Sequence, residues 1–117
     1  MLFVCYSNCS TCKKAKAFLD GRAAVYTARD IKADRPTEEE LRLWHAKSGL
    51  PLKKFFNTSG GQYKALGLKD KLPAMTEDEQ FALLATDGML VKRPILVLDD
   101  GRVLVGFREA EWAEALG

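Results

Sequence analysis

The chain has 117 residues and a net charge of +2, with 47% hydrophobic and 29% charged residues. That length fits one domain of the usual ~100–200 residues, and the balance is that of a globular chain, which excludes wholesale disorder. The charge is too small for an electrostatic nucleic-acid binder, and no apolar run approaches the ~18–20 residues of a membrane span.

The opening Met1-Leu-Phe-Val-Cys-Tyr6 has no basic region and runs into a polar turn, so no signal peptide is expected and the location expected is cytoplasmic. Residues 2–6 form an apolar, β-prone run that predicts a buried strand. Ser7-Asn8 turns the chain. From Ser10 to Asp20 the spacing of Ala15, Phe18 and Leu19 predicts a helix, with Gly21 at its C-terminal cap. Ala24 to Ala28 predicts a second strand, and the short connections imply a right-handed crossover with the two strands parallel.

The middle of the chain is helical. Thr37-Glu-Glu-Glu40, behind Pro36, matches a capping box, and Leu41, Trp44 and His45 follow before Gly49 and Pro51 end the helix. Thr76-Glu-Asp-Glu79 is a second capping box, opening a helix through Phe81, Leu84 and Ala85 to Gly88. Between them lie a loop over 57–61 and a short helix over 62–68. The lysines at 53, 54, 64, 69 and 71, against Asp70 alone, read as a solvated basic face.

Strand character returns at Ile95-Leu-Val-Leu98. Asp99-Asp-Gly-Arg102 carries a hairpin turn, and Val103-Leu-Val105 pairs back. A last helix over 108–116 packs Trp112 and Leu116 inward. The order predicts an α/β fold, a thioredoxin-like mixed four-stranded sheet built from about 1–33 and 92–117. A helical insertion at about 34–91 separates its second and third strands.

The three cysteines, Cys5, Cys9 and Cys12, are crowded at one end. A strand through Cys5 argues against an iron–sulfur site, and zinc would need a fourth ligand where only His45, on a helix, is available. No metal or bound cofactor is expected. Cys5 reads as a buried, inert strand residue. Cys9-Ser-Thr-Cys12 follows a strand and opens a helix, the setting in which a Cys-x-x-Cys pair is a redox site. At the helix N-terminus, free N–H groups and the macrodipole lower the Cys9 pKa below the ordinary ~8.5. Lys13 and Lys14 add positive charge, and Cys12, one turn on, is placed to attack a mixed disulfide at Cys9. Arg93-Pro94, directly before the third strand, supplies the active-site proline that such folds carry, where a cis bond is expected.

These residues together resemble the arsenate reductase (ArsC)/Spx family. The resemblance rests on Tyr6-Ser-Asn-Cys-Ser-Thr-Cys-Lys-Lys-Ala15, Asp30-Ile31, Phe56-Asn-Thr-Ser-Gly60 with Tyr63 and Leu66-Gly-Leu68, Asp87 through Leu96, and Val105-Gly-Phe107 through Trp112. It implies that Cys9 is the nucleophile and that Arg93 and Arg108 bind and activate an oxyanion, which suits the fork of donors on an arginine. A further family arginine is replaced here by Asn57, which leaves Asn57 and Pro94 as the remaining candidates for contact with substrate. The resemblance implies two functions. One is a thiol-dependent oxidoreductase acting on arsenate, a related oxyanion or a disulfide, with glutathione, glutaredoxin or thioredoxin as external reductant. The other is a redox-sensing, Spx-like regulator that binds the RNA polymerase α subunit without reading DNA directly.

Overall fold

Strand β1 (Leu2–Cys5) runs through the interior of a four-stranded sheet, flanked by β2 (Thr27–Asp30) and β3 (Ile95–Val97). The computed structural model describes residues 1–117. β1 pairs parallel with β2 and antiparallel with β3, and β3 pairs antiparallel with β4 (Val103–Val105). This is the mixed, thioredoxin-like sheet that the sequence predicts.

Successive strand residues face opposite sides, so one strand feeds two cores. Phe3 and Leu96 point to one face, where Ala15 and Leu19 of α1 (Ser10–Gly21) and Trp112 of α6 (Glu109–Leu116) cover them. Val4 and Ile95 point to the other face, beneath the segment that joins β2 to β3. That segment holds α2 (Glu38–Ser48), α3 (Gly61–Ala65), α4 (Leu68–Lys71) and α5 (Glu77–Leu84), with 3-10 turns over Leu52–Phe55, Leu72–Ala74 and Gly88–Leu90. Both predicted capping boxes form: the Thr37 and Thr76 hydroxyls accept from the N–H of Glu40 and Glu79, whose carboxylates reach back. Such a cap contributes about 1 kcal/mol. At the far end of the insertion, Gly88 lies against β2's exit so closely that a Cβ there would meet the Ile31 carbonyl oxygen at 1.8 Å.

Three local expectations need correction. The second strand is Thr27–Asp30 rather than Ala24–Ala28. Ala24 and Tyr26 are apolar because they pack on the α1 side of the sheet from the connection, Tyr26 edge-on to Phe3 at 5.5 Å, while Val25 between them is 87% exposed. Pairing starts only where the Thr27 N–H reaches the Met1 carbonyl at 2.9 Å. Second, Gly21 is still helical; the left-handed residue beyond the helix is Ala23, at φ 54°. Third, the short helix of 62–68 is two helices, broken at Gly67, whose φ is 64°. No helix is long and apolar enough to cross a membrane.

Candidate active site

Helix α1 lacks what caps α2 and α5. Its N-cap is Cys9, which makes no side-chain cap bond, and its first turn carries no acidic residue. The free N–H groups of that turn are left for the sulfur. Partial burial by itself would raise the Cys9 pKa. Hydrogen bonds outweigh it and hold the thiol below its ordinary value: from the backbone N–H of Cys12, the Cys12 thiol, the Arg93 guanidinium and the backbone N–H of Thr11. Anion stabilisation by oriented backbone donors is the cause.

Cys12 behaves in the opposite way. It is 3% exposed, and burial pushes its pKa up to about 12, although the Tyr6 N–H donates to its Sγ at 3.3 Å. The neighbouring Cys9 charge adds to the rise. One helical turn therefore holds a half-buried thiol that ionises readily and a buried one that keeps its proton. Cys5 is half-buried rather than fully buried; burial first, then Asp30 opposite it on β2, raises its pKa. All three cysteines are free thiols.

Arg93 enters from the segment before β3, across a cis Arg93–Pro94 bond. Its guanidinium lies 5.3 Å from the Tyr6 ring centroid and donates weakly to the Met89 carbonyl at 3.4 Å. Its Nε is buried without any hydrogen-bond partner. A buried, unpaired, charged donor is costly unless something accepts from it. Asn57 stands beside it: its Nδ2 reaches the same Met89 carbonyl at 3.5 Å, and the two side chains line one cleft of about 400 Å³ with Gly60 and Gly61. Pro94 is buried and its carbonyl accepts from the Gly106 N–H at 2.8 Å, so it frames the site and offers a substrate no free polar group.

The structure thus brings Cys9, Cys12 and Arg93 together and sets Asn57 next to Arg93. Arg108 does not line the Arg93–Asn57 cleft. It is exposed at the N-cap of α6 and lines a second cleft, of about 750 Å³, whose other wall includes Thr11. His45, half-buried, packs edge-on to Phe55 and Phe81 at 5.8 and 5.5 Å, well inside the insertion. Tyr6 was not singled out by sequence reasoning. Its N–H holds Cys12 and its ring carries Arg93, and its sequence signals are its place between strand and turn and at the head of the segment from Tyr6 to Ala15 that carries the resemblance.

The ArsC family pattern matches residues 5–115. The chain is 49% identical to the uncharacterized protein YusI of Bacillus subtilis, over 97% of this chain and 96% of that one. It is 30% identical to the global transcriptional regulator Spx of Staphylococcus epidermidis, over 89% and 77%. Among solved structures, an ArsC family related protein from Bacteroides fragilis superposes with a TM-score of 0.93 at 57% identity, over 97% and 94%. A chain described as a possible arsenate reductase from Streptococcus mutans superposes at 0.87 and 50% identity, over 97% and 96%. The family pattern runs from the end of β1 through the thiol pair and the insertion into α6, and the chain belongs to the ArsC family.

Proposed function

We propose that this protein is a thiol–disulfide oxidoreductase of arsenate-reductase type, with Cys9 as nucleophile and Cys12 as resolving thiol. The observation that carries the reading is the placement of two free thiols within one turn of α1, Cys9 half-buried at the uncapped N-terminus and Cys12 buried behind it.

The chemistry follows from it. With a disulfide, the Cys9 thiolate attacks one sulfur; a new S–S bond forms, the old one breaks, and the leaving thiolate takes a proton from water. Cys9 is then uncharged, which removes the charge that opposes ionisation of Cys12. Cys12 attacks the Cys9 sulfur and passes its proton to the departing thiolate, closing the intramolecular disulfide and releasing the second thiol. With arsenate, the thiolate displaces water to form a Cys9–arsenic ester. Attack of Cys12 on the Cys9 sulfur then passes an electron pair to arsenic and releases arsenite. Arg93, with its free Nε, stabilises the charge at Cys9 and on a bound oxyanion, as preorganised donors do. An external thiol (glutathione, glutaredoxin or thioredoxin) resets the pair.

The test is a single turnover of dipyridyl disulfide by the reduced protein. Cys9→Ser should abolish it, and Cys12→Ser should halt at a mixed disulfide on Cys9. Turnover that survives Cys9→Ser would refute the assignment.

A second reading has its own support: one relative at 30% identity bears the name of a global transcriptional regulator. In that reading the Cys9–Cys12 disulfide is a switch that alters contact with the RNA polymerase α subunit. Redox-dependent capture of that subunit, with no multiple turnover of any disulfide or oxyanion, would favour it.

A further inference from the structure

We infer that the second cleft is a docking surface for an acidic peptide segment that carries the sulfur on which Cys9 acts. The inference rests on the oxidoreductase reading and names its substrate class.

Three elements far apart in the chain bring Lys53, Lys54, Lys92 and Arg108 around one cleft, against Glu111 alone. None of the four cations takes part in an ion pair, although the protein forms such pairs elsewhere. The grouping is held by the backbone. The Lys92 N–H donates to the Phe55 carbonyl at 2.7 Å, which ties Lys92 to the 3-10 turn carrying Lys53 and Lys54. The Lys92 stem crosses Gly106, where a Cβ would stand 3.3 Å from its Cε. Adjacent residues thus serve opposite sides: Lys92 lines this cleft, and Arg93 lines the Asn57 cleft.

Position ties the cleft to the chemistry. Thr11 forms part of its wall, and it lies in the first turn of α1, two residues after the N-cap Cys9. At about 750 Å³ the cleft is far larger than a tetrahedral oxyanion needs, and it falls within the ~300–1,000 Å³ of pockets that hold drug-sized ligands, room for a few side chains of a peptide. Several unpaired cations select a ligand with several negative charges, and complementary charge also speeds encounter. A nucleic acid would match the charge but brings no sulfur to Cys9. A peptide with Asp or Glu around an oxidised cysteine brings both.

The test uses three synthetic ten-residue peptides, each with one cysteine capped as a 2-thiopyridyl disulfide and flanked by Glu, Ser or Lys. Attack by Cys9 forms the mixed disulfide and releases 2-thiopyridone, read by absorbance; dithiothreitol then resets the protein. The Glu peptide should exceed the Ser peptide in kcat/KM by about tenfold at low salt, the sum expected of three exposed ion pairs. The preference should shrink with added salt. Lys53→Gln/Lys54→Gln/Lys92→Gln should bring the ratio close to one, while the control Lys69→Gln/Lys71→Gln should leave it unchanged. A fluorescent Glu peptide with serine in place of cysteine, followed by anisotropy, reads docking without turnover. It should bind the native protein and lose affinity to the triple variant. Turnover of the Ser peptide with no preference for Glu overturns the docking surface and leaves the oxidoreductase reading standing. Docking with no turnover of any peptide overturns the oxidoreductase reading and keeps the surface. A single-stranded oligonucleotide of equal charge that displaces the peptide at lower concentration overturns the peptide as occupant.

Discussion

The backbone N–H of Tyr6 donates to the Cys12 sulfur at 3.3 Å, so the residue that follows β1 also fixes the second thiol of the helix. The same residue lies under Arg93, whose guanidinium is among the groups that hold the Cys9 thiol below its ordinary pKa. One position therefore touches the surroundings of both sulfurs, and each sulfur can be probed separately.

Cys9 should be the first thiol alkylated. Its reaction rate with iodoacetamide should rise with pH through a midpoint below the ordinary ~8.5 of a free thiol, followed by mass spectrometry of the modified peptides. Arg93→Gln removes a charged donor and should move that midpoint upward. A midpoint unmoved by the substitution would show that backbone donors alone hold the thiolate.

Cys12 makes the reduced protein sensitive to alkali. Its folded pKa, about 12, lies above the unfolded value of ~8.5, so between the two the unfolded chain binds fewer protons than the native one. Stability is therefore full below the unfolded value and falls as pH rises, by up to ~1.4 kcal/mol per pH unit from this group. Cys12→Ala should show a shallower decline across pH 9–11 in urea unfolding of the reduced protein. Equal slopes would mean that the buried thiol ionises without cost.

Glu40 gives the opposite sign. The Arg29 fork, with donors at 2.6 and 2.9 Å, outweighs partial burial and pulls its pKa down to about 2, with help from the Thr37 N–H. Its contribution is present above the ordinary glutamate value of ~4.3 and is lost as pH falls through about 2. With the carboxylate one-third exposed, solvent screens part of the pair. Glu40→Gln should cost about 1–2 kcal/mol at pH 7, and the difference should close near pH 2. A penalty independent of pH would assign the effect to packing of the side chain rather than to its charge.

Asn57 brings no charge to the Arg93 cleft, where the resemblance in the sequence implies a further arginine. Native protein should reduce arsenate poorly, and Asn57→Arg should raise kcat/KM for arsenate by roughly 10- to 100-fold, the worth of one charged hydrogen bond. Reduction of dipyridyl disulfide should change little, because that substrate carries no charge for the added arginine to bind. Efficient arsenate reduction by the native chain, unimproved by the substitution, would show that Arg93 needs no charged neighbour at position 57.

Features set within a few residues were legible. The capping boxes at Thr37 and Thr76 form as read, because a cap is decided by residues three apart. The alternation of Phe3 with Val4, and of Ile95 with Leu96, announces strands with two covered faces. The second strand starts three residues after Ala24 and ends two after Ala28 for the converse reason. Thr27–Asp30 is an edge strand with mostly exposed side chains, whereas apolar Ala24 and Tyr26 lie in the connection and pack from there.

The sequence by itself determined that two thiols stand one turn apart at the start of a helix, with an arginine and a proline before a distant strand. The tertiary structure alone decided what those groups do. Burial sets Cys12 apart from Cys9, the route of the chain leaves the Arg93 Nε buried and unpaired, and packing brings Lys92 beside Lys53 and Lys54. Ionisation and charge grouping depend on desolvation and on contacts between residues remote in the chain, which only the packed fold creates.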